Sequence, residues 1–302
     1  MKRKKNAALP NPTQSYEEAI ERAEKLQAAD TDSINPLCHT KLLTHGQQVE
    51  RVIVLLHGFT SCPHQYNQLA QLLFDQGYNV FIPRVPRHGL LDYMTKVHAS
   101  LTPADLMDIT DEAVDIAQGL GRHVTVAGLS MGGVLTSWAA QYRHDIDLAV
   151  IISPAFGMYI APVWVHGLVT YIFRYFPNFF RWWDPVNKGS GRVGYVYPRL
   201  SSRGLGNIMW LGSVIRRARV KPAAQSMLMV INHNDIAVNN QLINKVVNIW
   251  KKYDAPLSIH EFDASLGFTH DLVDPEHPQQ KIDEVYPRLV ALIKNGGGSE
   301  AL

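Results

Sequence analysis

Gly128-Leu-Ser-Met-Gly132 follows the strand-like run His123-Val-Thr-Val-Ala127 and precedes an apolar helical stretch from Val134 to Ala140. Gly-x-Ser-x-Gly between a strand and a helix demands a turn so tight that only small residues fit beside the serine. The turn lifts the Ser130 hydroxyl clear of the sheet and presents it as a nucleophile. Five residues of this kind arise by chance, because small residues cluster. The strand before and the helix after give the pattern its weight and make Gly128 and Gly132 the elbow glycines.

Outward from this turn the chain alternates between two periodicities. Val52-Ile-Val-Leu-Leu56 is a continuous apolar run of strand length, as expected for a strand covered on both faces. Residues 78–82, 148–152, 227–231 and 257–262 read the same way, and 38–44 predicts an early strand. Between them lie helical patterns. Pro63 opens one through Leu69, Leu72 and Leu73. Thr102-Pro103 caps another through Leu106, Ile109, Ala113, Ile116 and Leu120. Residues 242–253 form a third, and Ile282, Val285, Leu289 and Leu292 mark a last one. Ser15-x-x-Glu18 predicts a capping box ahead of a short N-terminal amphipathic helix. This alternation predicts a mostly parallel central sheet with helices on both faces.

Composition bounds the rest. At 302 residues and 46% apolar content the chain has ample material for one large α/β core. Two cysteines, Cys38 and Cys62, are too few for a disulfide framework, and a cytoplasmic setting is expected. Met1-Lys-Arg-Lys-Lys5 begins like a secretion signal, but residues 6–12 supply no apolar core, so no signal peptide is expected. Residues 148–173 lack Asp, Glu, Lys and Arg and are long enough to raise a membrane span. Ser153-Pro154, Gly157, Pro162, His166 and Gly167 interrupt them, which argues for a buried strand followed by other structure.

The net charge is +2, yet residues 156–222 hold ten Lys and Arg against one acid, Asp184. A segment so different from its surroundings reads as an insertion. The expected organisation is an N-terminal extension (1–35) with its amphipathic helix, a core split into 36–155 and 223–294, a cap at 156–222 and a flexible tail at 295–302.

A serine hydroxyl needs a base, and the base needs an acid to orient it. After an elbow of this kind the acid follows a strand and the histidine follows the last strand. Asp235, in Ile231-Asn-His-Asn-Asp235, is the candidate acid, with Asp263 as its rival. His270, in Gly267-Phe-Thr-His270, is the candidate base. His277 sits at the start of the last helix, and His233 lies too close to the acid. A tetrahedral intermediate needs two preset N–H donors for its oxyanion. Met131 N–H, just after the serine, is one. The loop His57-Gly58-Phe59-Thr60-Ser61 offers Phe59 N–H as the other, with Gly58 allowing close approach. His57 reads as a structural histidine that ties the loop down. No His-Glu-x-x-His spacing or Gly-rich phosphate loop is present, so no metal or cofactor is expected.

His57-Gly-Phe, Gly128-Leu-Ser-Met-Gly-Gly133, Asp235 and His270 in this order resemble the α/β-hydrolase family, and within it bacterial carboxylesterases and monoacylglycerol lipases. The resemblance runs from about Arg51 to Leu292 and is weakest across 156–222. Relatives often carry Gly-His-Gly after the second strand of this region, where this chain has Arg87-His88-Gly89. The family implies an α/β-hydrolase fold with an inserted helical cap and a serine esterase or lipase acting on small-molecule or lipid esters. Amide, thioester and carbon–carbon bond hydrolysis use the same triad, and a non-catalytic ligand-binding member is a further alternative. The cap also interleaves aromatic residues such as Trp164, Tyr171 and Tyr175 with its bases. Packing onto the sheet explains them in part. Aromatics beside Arg also suit an anionic membrane surface, with Met1–Lys5 as a second contact. No nucleic-acid motif accompanies these bases, so no such partner is expected.

Overall fold

The structure is a computed structural model that describes residues 7–183 and 194–296. Its centre is a seven-stranded sheet. The strands are β1 (Lys41–Leu43), β2 (Val49–Leu56), β3 (Tyr78–Ile82), β4 (Gly121–Leu129), β5 (Leu148–Ile152), β8 (Ser226–Asn232) and β9 (Leu257–Phe262). They lie in the order β1-β3-β2-β4-β5-β8-β9, and every pairing but the edge β1–β3 is parallel. A two-stranded antiparallel ribbon, β6 (Phe180–Trp182) with β7 (Arg199–Ser201), lies apart from it.

Buried on both faces, the parallel strands send alternate residues into two cores. Val52, Val54, Val126 and Ile151 point to one side, where they meet α3 (Pro103–Leu120), α4 (Met131–Tyr142) and α7 (Asn240–Lys252). Ile53, Leu55, Ala127 and Val150 point to the other, against α2 (Asn67–Phe74) and α8 (Ile282–Lys294). The N-terminal helix α1 (Tyr16–Ala28) buries Ala19 and Ala23 in the first core, and Arg22 clamps it to Glu112 of α3 at 2.7 Å.

Two helix starts differ in detail from the sequence reading. Ser15 Oγ accepts the Glu18 N–H as expected, but the Glu18 carboxylate accepts from Gln14 N–H, one residue earlier than a capping box requires. The full reciprocal box forms instead at Thr102, whose hydroxyl accepts from Asp105 N–H while Asp105 accepts from Thr102 N–H.

The expectation from cysteine number holds only in part. Two cysteines build no framework, yet Cys38 and Cys62 form one disulfide across a separation of 24 residues. Closing a loop of that size restricts the unfolded chain by about 3 kcal/mol in the chain-entropy account. The bond staples the segment before β1 to the loop after β2. Such bonds persist in oxidising surroundings and open in reducing ones.

Between β5 and β8 the chain leaves the sheet through α5 (His166–Tyr175), the β6–β7 ribbon and α6 (Ser202–Arg217). Part of this segment shares the main core. Phe156 and the α6 residues Ile208, Leu211 and Ile215 are buried in the same cluster as the sheet residues. α5 rides on α6, burying His166 and Thr170 and leaving Leu168, Tyr171 and Tyr175 exposed. No helix among the described residues is long and apolar enough to cross a membrane.

Candidate active site

Strand order decides where a site forms. All six of the strands β2, β3, β4, β5, β8 and β9 are parallel, but from the middle of the sheet the chain steps outward through β2 and β3 on one side and through β4, β5, β8 and β9 on the other. Loops that leave in opposite directions at such a switch point open a crevice at the carboxyl ends. The register Leu56↔Gly128, Leu129↔Ile152, Ile152↔Val230 and Asn232↔Phe262 levels those ends. It brings the loops holding Phe59, Ser130, Asp235 and His270 to one rim.

Ser130 sits at φ 59° and ψ −111°, a backbone state that costs a non-glycine residue about 1–3 kcal/mol. Its neighbours hold it there. Ser130 N–H donates to Ile152 O at 3.0 Å, and Ser130 O accepts from Val134 and Ala155. The glycine requirement is steric. A Cβ on Gly132 would fall on the Leu56 carbonyl, and one on Gly128 would strike the Gly132 backbone. The Ser130 hydroxyl donates to no acceptor among the described residues, and no hydrogen bond joins it to His270. Catalytic hydrogen bonds often close only once substrate is bound.

His270 and Asp235 are in direct contact, Nδ1 to Oδ2 at 2.6 Å. Asp235 has no exposed side-chain surface, whereas the His270 ring keeps 22% of its own open. The other carboxylate oxygen, Oδ1, accepts the N–H groups of Ala237 and Val238 at 2.8 and 3.0 Å. Burial disfavours charge on both groups, but their mutual attraction wins. The Asp235 carboxyl is held below the ordinary range, and the His270 imidazole is raised above its ordinary value.

The rivals go elsewhere. Asp263 is exposed and accepts from Ser265 N–H. His233 is exposed and faces Glu261 at 3.1 Å, while His277 accepts from Gln279 N–H. His57 is fully buried. Its Nε2 accepts from Val85 N–H, so its Nδ1 donates to the Gly58 carbonyl. Burial pushes its imidazole down to about 4, which keeps it neutral.

The loop after β2 is anchored at several points. The Gly58 N–H donates to the Gln65 side chain. Thr60, at φ 73°, is bound to the cap twice, through Tyr197 N–H to its carbonyl and Trp183 Nε1 to its hydroxyl. Phe59 packs its ring against His88, His98 and Gly204. Phe59 N–H itself donates to no acceptor among the described residues. Arg87, where relatives often place glycine, keeps a positive φ of 70° and passes the chain into Gly89 at 75°. The turn thus survives the side chain.

Sequence reasoning missed Gln65, Asp271 and the cap contacts of Thr60. Gln65 lies in an ordinary 3₁₀ turn, and nothing in its spacing distinguishes it. Among the described residues no group of three or more His, Cys, Asp or Glu is arranged to hold a metal.

Comparison with known proteins agrees with this architecture. Over 112 residues the chain is 33% identical to a thermostable monoacylglycerol lipase of Bacillus sp. (strain H-257), a match covering 34% of this chain and 40% of that protein. A solved structure from a pair of metagenome-derived lipolytic enzymes superposes with a TM-score of 0.66 at 21% identity, over 87% of this chain and 99% of that one. The monoacylglycerol lipase of Paleococcus ferrophilus does so with a TM-score of 0.63 at 18% identity, over 85% and 98%. At these identities the structural likeness is one of fold. Residues 53–297 match the alpha/beta hydrolase family throughout, and the chain belongs to that family.

Proposed function

We propose that the chain is a serine hydrolase that cleaves carboxylic esters with an apolar acyl group. The observation that carries this reading is the His270–Asp235 pair, 2.6 Å apart, on the rim that also bears the strained Ser130 turn. His270 Nε2 takes the proton of Ser130 as Oγ attacks the ester carbonyl. The N–H groups of Phe59 and Met131 hold the oxyanion. The C–O bond to the alcohol breaks, and the alcohol leaves with the proton from His270. Water, losing a proton to the same histidine, attacks the acyl-enzyme, and Ser130 is released with its proton restored. The relative described as a monoacylglycerol lipase supports esters over amides. The test is stopped-flow release of p-nitrophenol from esters of graded chain length. The expected record is a burst of about one product per protein before the steady rate, as an acyl-enzyme that forms faster than it hydrolyses gives with an activated ester. A panel with neither burst nor turnover would remove the proposal.

The outer face of the cap supports a lipid source for these esters. Trp164 is 85% exposed, and Leu168, Tyr171, Tyr175 and Phe176, along and beyond α5, are each more than half exposed. Arg181, Arg203, Arg217 and Arg219 are exposed on the same segment. We infer that this face rests on anionic lipid aggregates, the aromatics entering the interface and each base adding about 1 kcal/mol. Met1–Lys5, the second contact expected from sequence, lies outside the described residues. Co-sedimentation with phosphatidylglycerol vesicles at low salt is expected to exceed that with phosphatidylcholine, and Trp164→Ser is expected to weaken it. Equal recovery in both supernatants ends the idea.

A further inference from the structure

One buried side chain joins the loop of the proposed oxyanion donor to the loop of the proposed base. Gln65 is 2% exposed. Its Oε1 accepts the Gly58 N–H at 2.8 Å, and its Nε2 donates to Asp271 Oδ2 at 2.7 Å. Gly58 immediately precedes Phe59, and Asp271 immediately follows His270. The two partners fix the amide's orientation, since a backbone N–H needs an acceptor and a carboxylate needs a donor.

Both ends of this bridge are anchored. Gln65 N–H donates to Cys62 O at 3.0 Å, and Cys62 is bonded to Cys38. Asp271 Oδ1 accepts the N–H groups of Val273 and Asp274 at 3.2 and 3.1 Å. The surroundings are acidic. Asp274 is buried and accepts the Tyr195 hydroxyl at 2.6 Å. Burial, then the Asp271 charge, pushes its carboxyl up to about 7. Glu276 faces His64 at 2.8 Å, Lys41 reaches the other nitrogen of His64, and Tyr66 and Tyr286 stay un-ionised in their burial. Among the described residues Asp271 has no Lys or Arg partner, and Gln65 is its side-chain donor.

We propose that Gln65 is a positioning residue whose amide sets the oxyanion loop at Gly58–Phe59 in register with the histidine loop at His270–Asp271. The proposal rests on the roles given above to Phe59 and His270. A carbonyl must meet the nucleophile, the base and both N–H donors at once, and misplacement by about 1 Å can cost about a hundredfold. Among the described residues the polar link between the two loops runs through the Gln65 amide.

The test compares Gln65→Leu and Gln65→Glu with the parent and with Ser130→Ala, using p-nitrophenyl butyrate across a pH series. Gln65→Leu is expected to lower kcat about 10- to 100-fold while KM moves less than about threefold. In Gln65→Glu the introduced carboxylate still accepts from Gly58 N–H, but it turns an oxygen toward Asp271. A proton shared by the two carboxylates restores the bridge, and its loss sets like charges against each other. Turnover by Gln65→Glu is therefore expected to gain a falling limb with rising pH that neither the parent nor Gln65→Leu has. Thermal melts and titration of active serines with an organophosphonate keep folding separate from rate. Should Gln65→Leu not fold, the pH limb of Gln65→Glu decides. Turnover of Gln65→Leu within about twofold of the parent, or a pH-independent loss in both variants, overturns the proposal. Activity retained by Ser130→Ala would instead overturn the catalytic roles on which it rests.

Discussion

Ser130→Ala is expected to lower turnover of an acyl ester by about 10⁴- to 10⁶-fold, the range lost when a triad nucleophile is removed. Stability is expected to stay within about 0.5 kcal/mol of the parent. The two expectations come from the same geometry. The hydroxyl makes no hydrogen bond to a described residue, so the folded state loses no contact with it. Alanine carries the same Cβ as serine and meets the same strain at φ 59°, so the backbone has no reason to relax. The bonds that impose that backbone, to Ile152, Val134 and Ala155, are all main-chain and survive the change. Steady-state rates on purified protein, with a thermal melt of each sample, check both halves. A variant that melts with the parent and still turns over at its rate would remove Ser130 from the chemistry.

The legibility of this site in the sequence follows from what is local and what is not. Gly128 and Gly132 are required by clashes within a few residues of themselves and with the adjacent strand end, so the turn can be read from five residues and their flanks. The parallel strands show as apolar runs because both of their faces are covered, and α3 shows because one face of it meets the sheet. Asp235 and His270, which the structure brings into contact, can be singled out because a strand end and the chain order leave few candidates. The disulfide was not legible. Cys38 and Cys62 meet because β1 pairs antiparallel with β3 at the sheet edge, a tertiary fact that counting cysteines does not contain. Gln65 was hidden for a related reason. Its partners, at 58 and 271, are brought together by the sheet, and a glutamine in a short turn carries no periodic or compositional mark. Residues 156–222 stand out in the sequence by their charge, but charge does not show that α6 buries an apolar face in the main core while Arg203 and Arg217 stay exposed.

Asp235→Asn is expected to cost about 10⁴-fold in kcat, and the reason lies in how the carboxylate is held. Oδ1 is fixed by the N–H groups of Ala237 and Val238, both of which require an acceptor. The replacement amide must therefore keep its oxygen there and turn its NH₂ group toward His270 Nδ1. That nitrogen then accepts instead of donating, which places the ring proton on Nε2. A base already protonated at Nε2 cannot take the proton of Ser130. The same substitution removes the charge that raises the His270 imidazole against its burial. Only the neutral ring works as a base, so activity rises with pH through the His270 pKa. With that pKa lowered, the acid limb of the residual rate is expected to move to lower pH while the plateau falls. A pH profile of kcat/KM on a short-chain p-nitrophenyl ester measures both. A plateau within tenfold of the parent would show that His270 does not draw its tautomer from Asp235, and a limb that stays in place would show that it does not draw its charge from there.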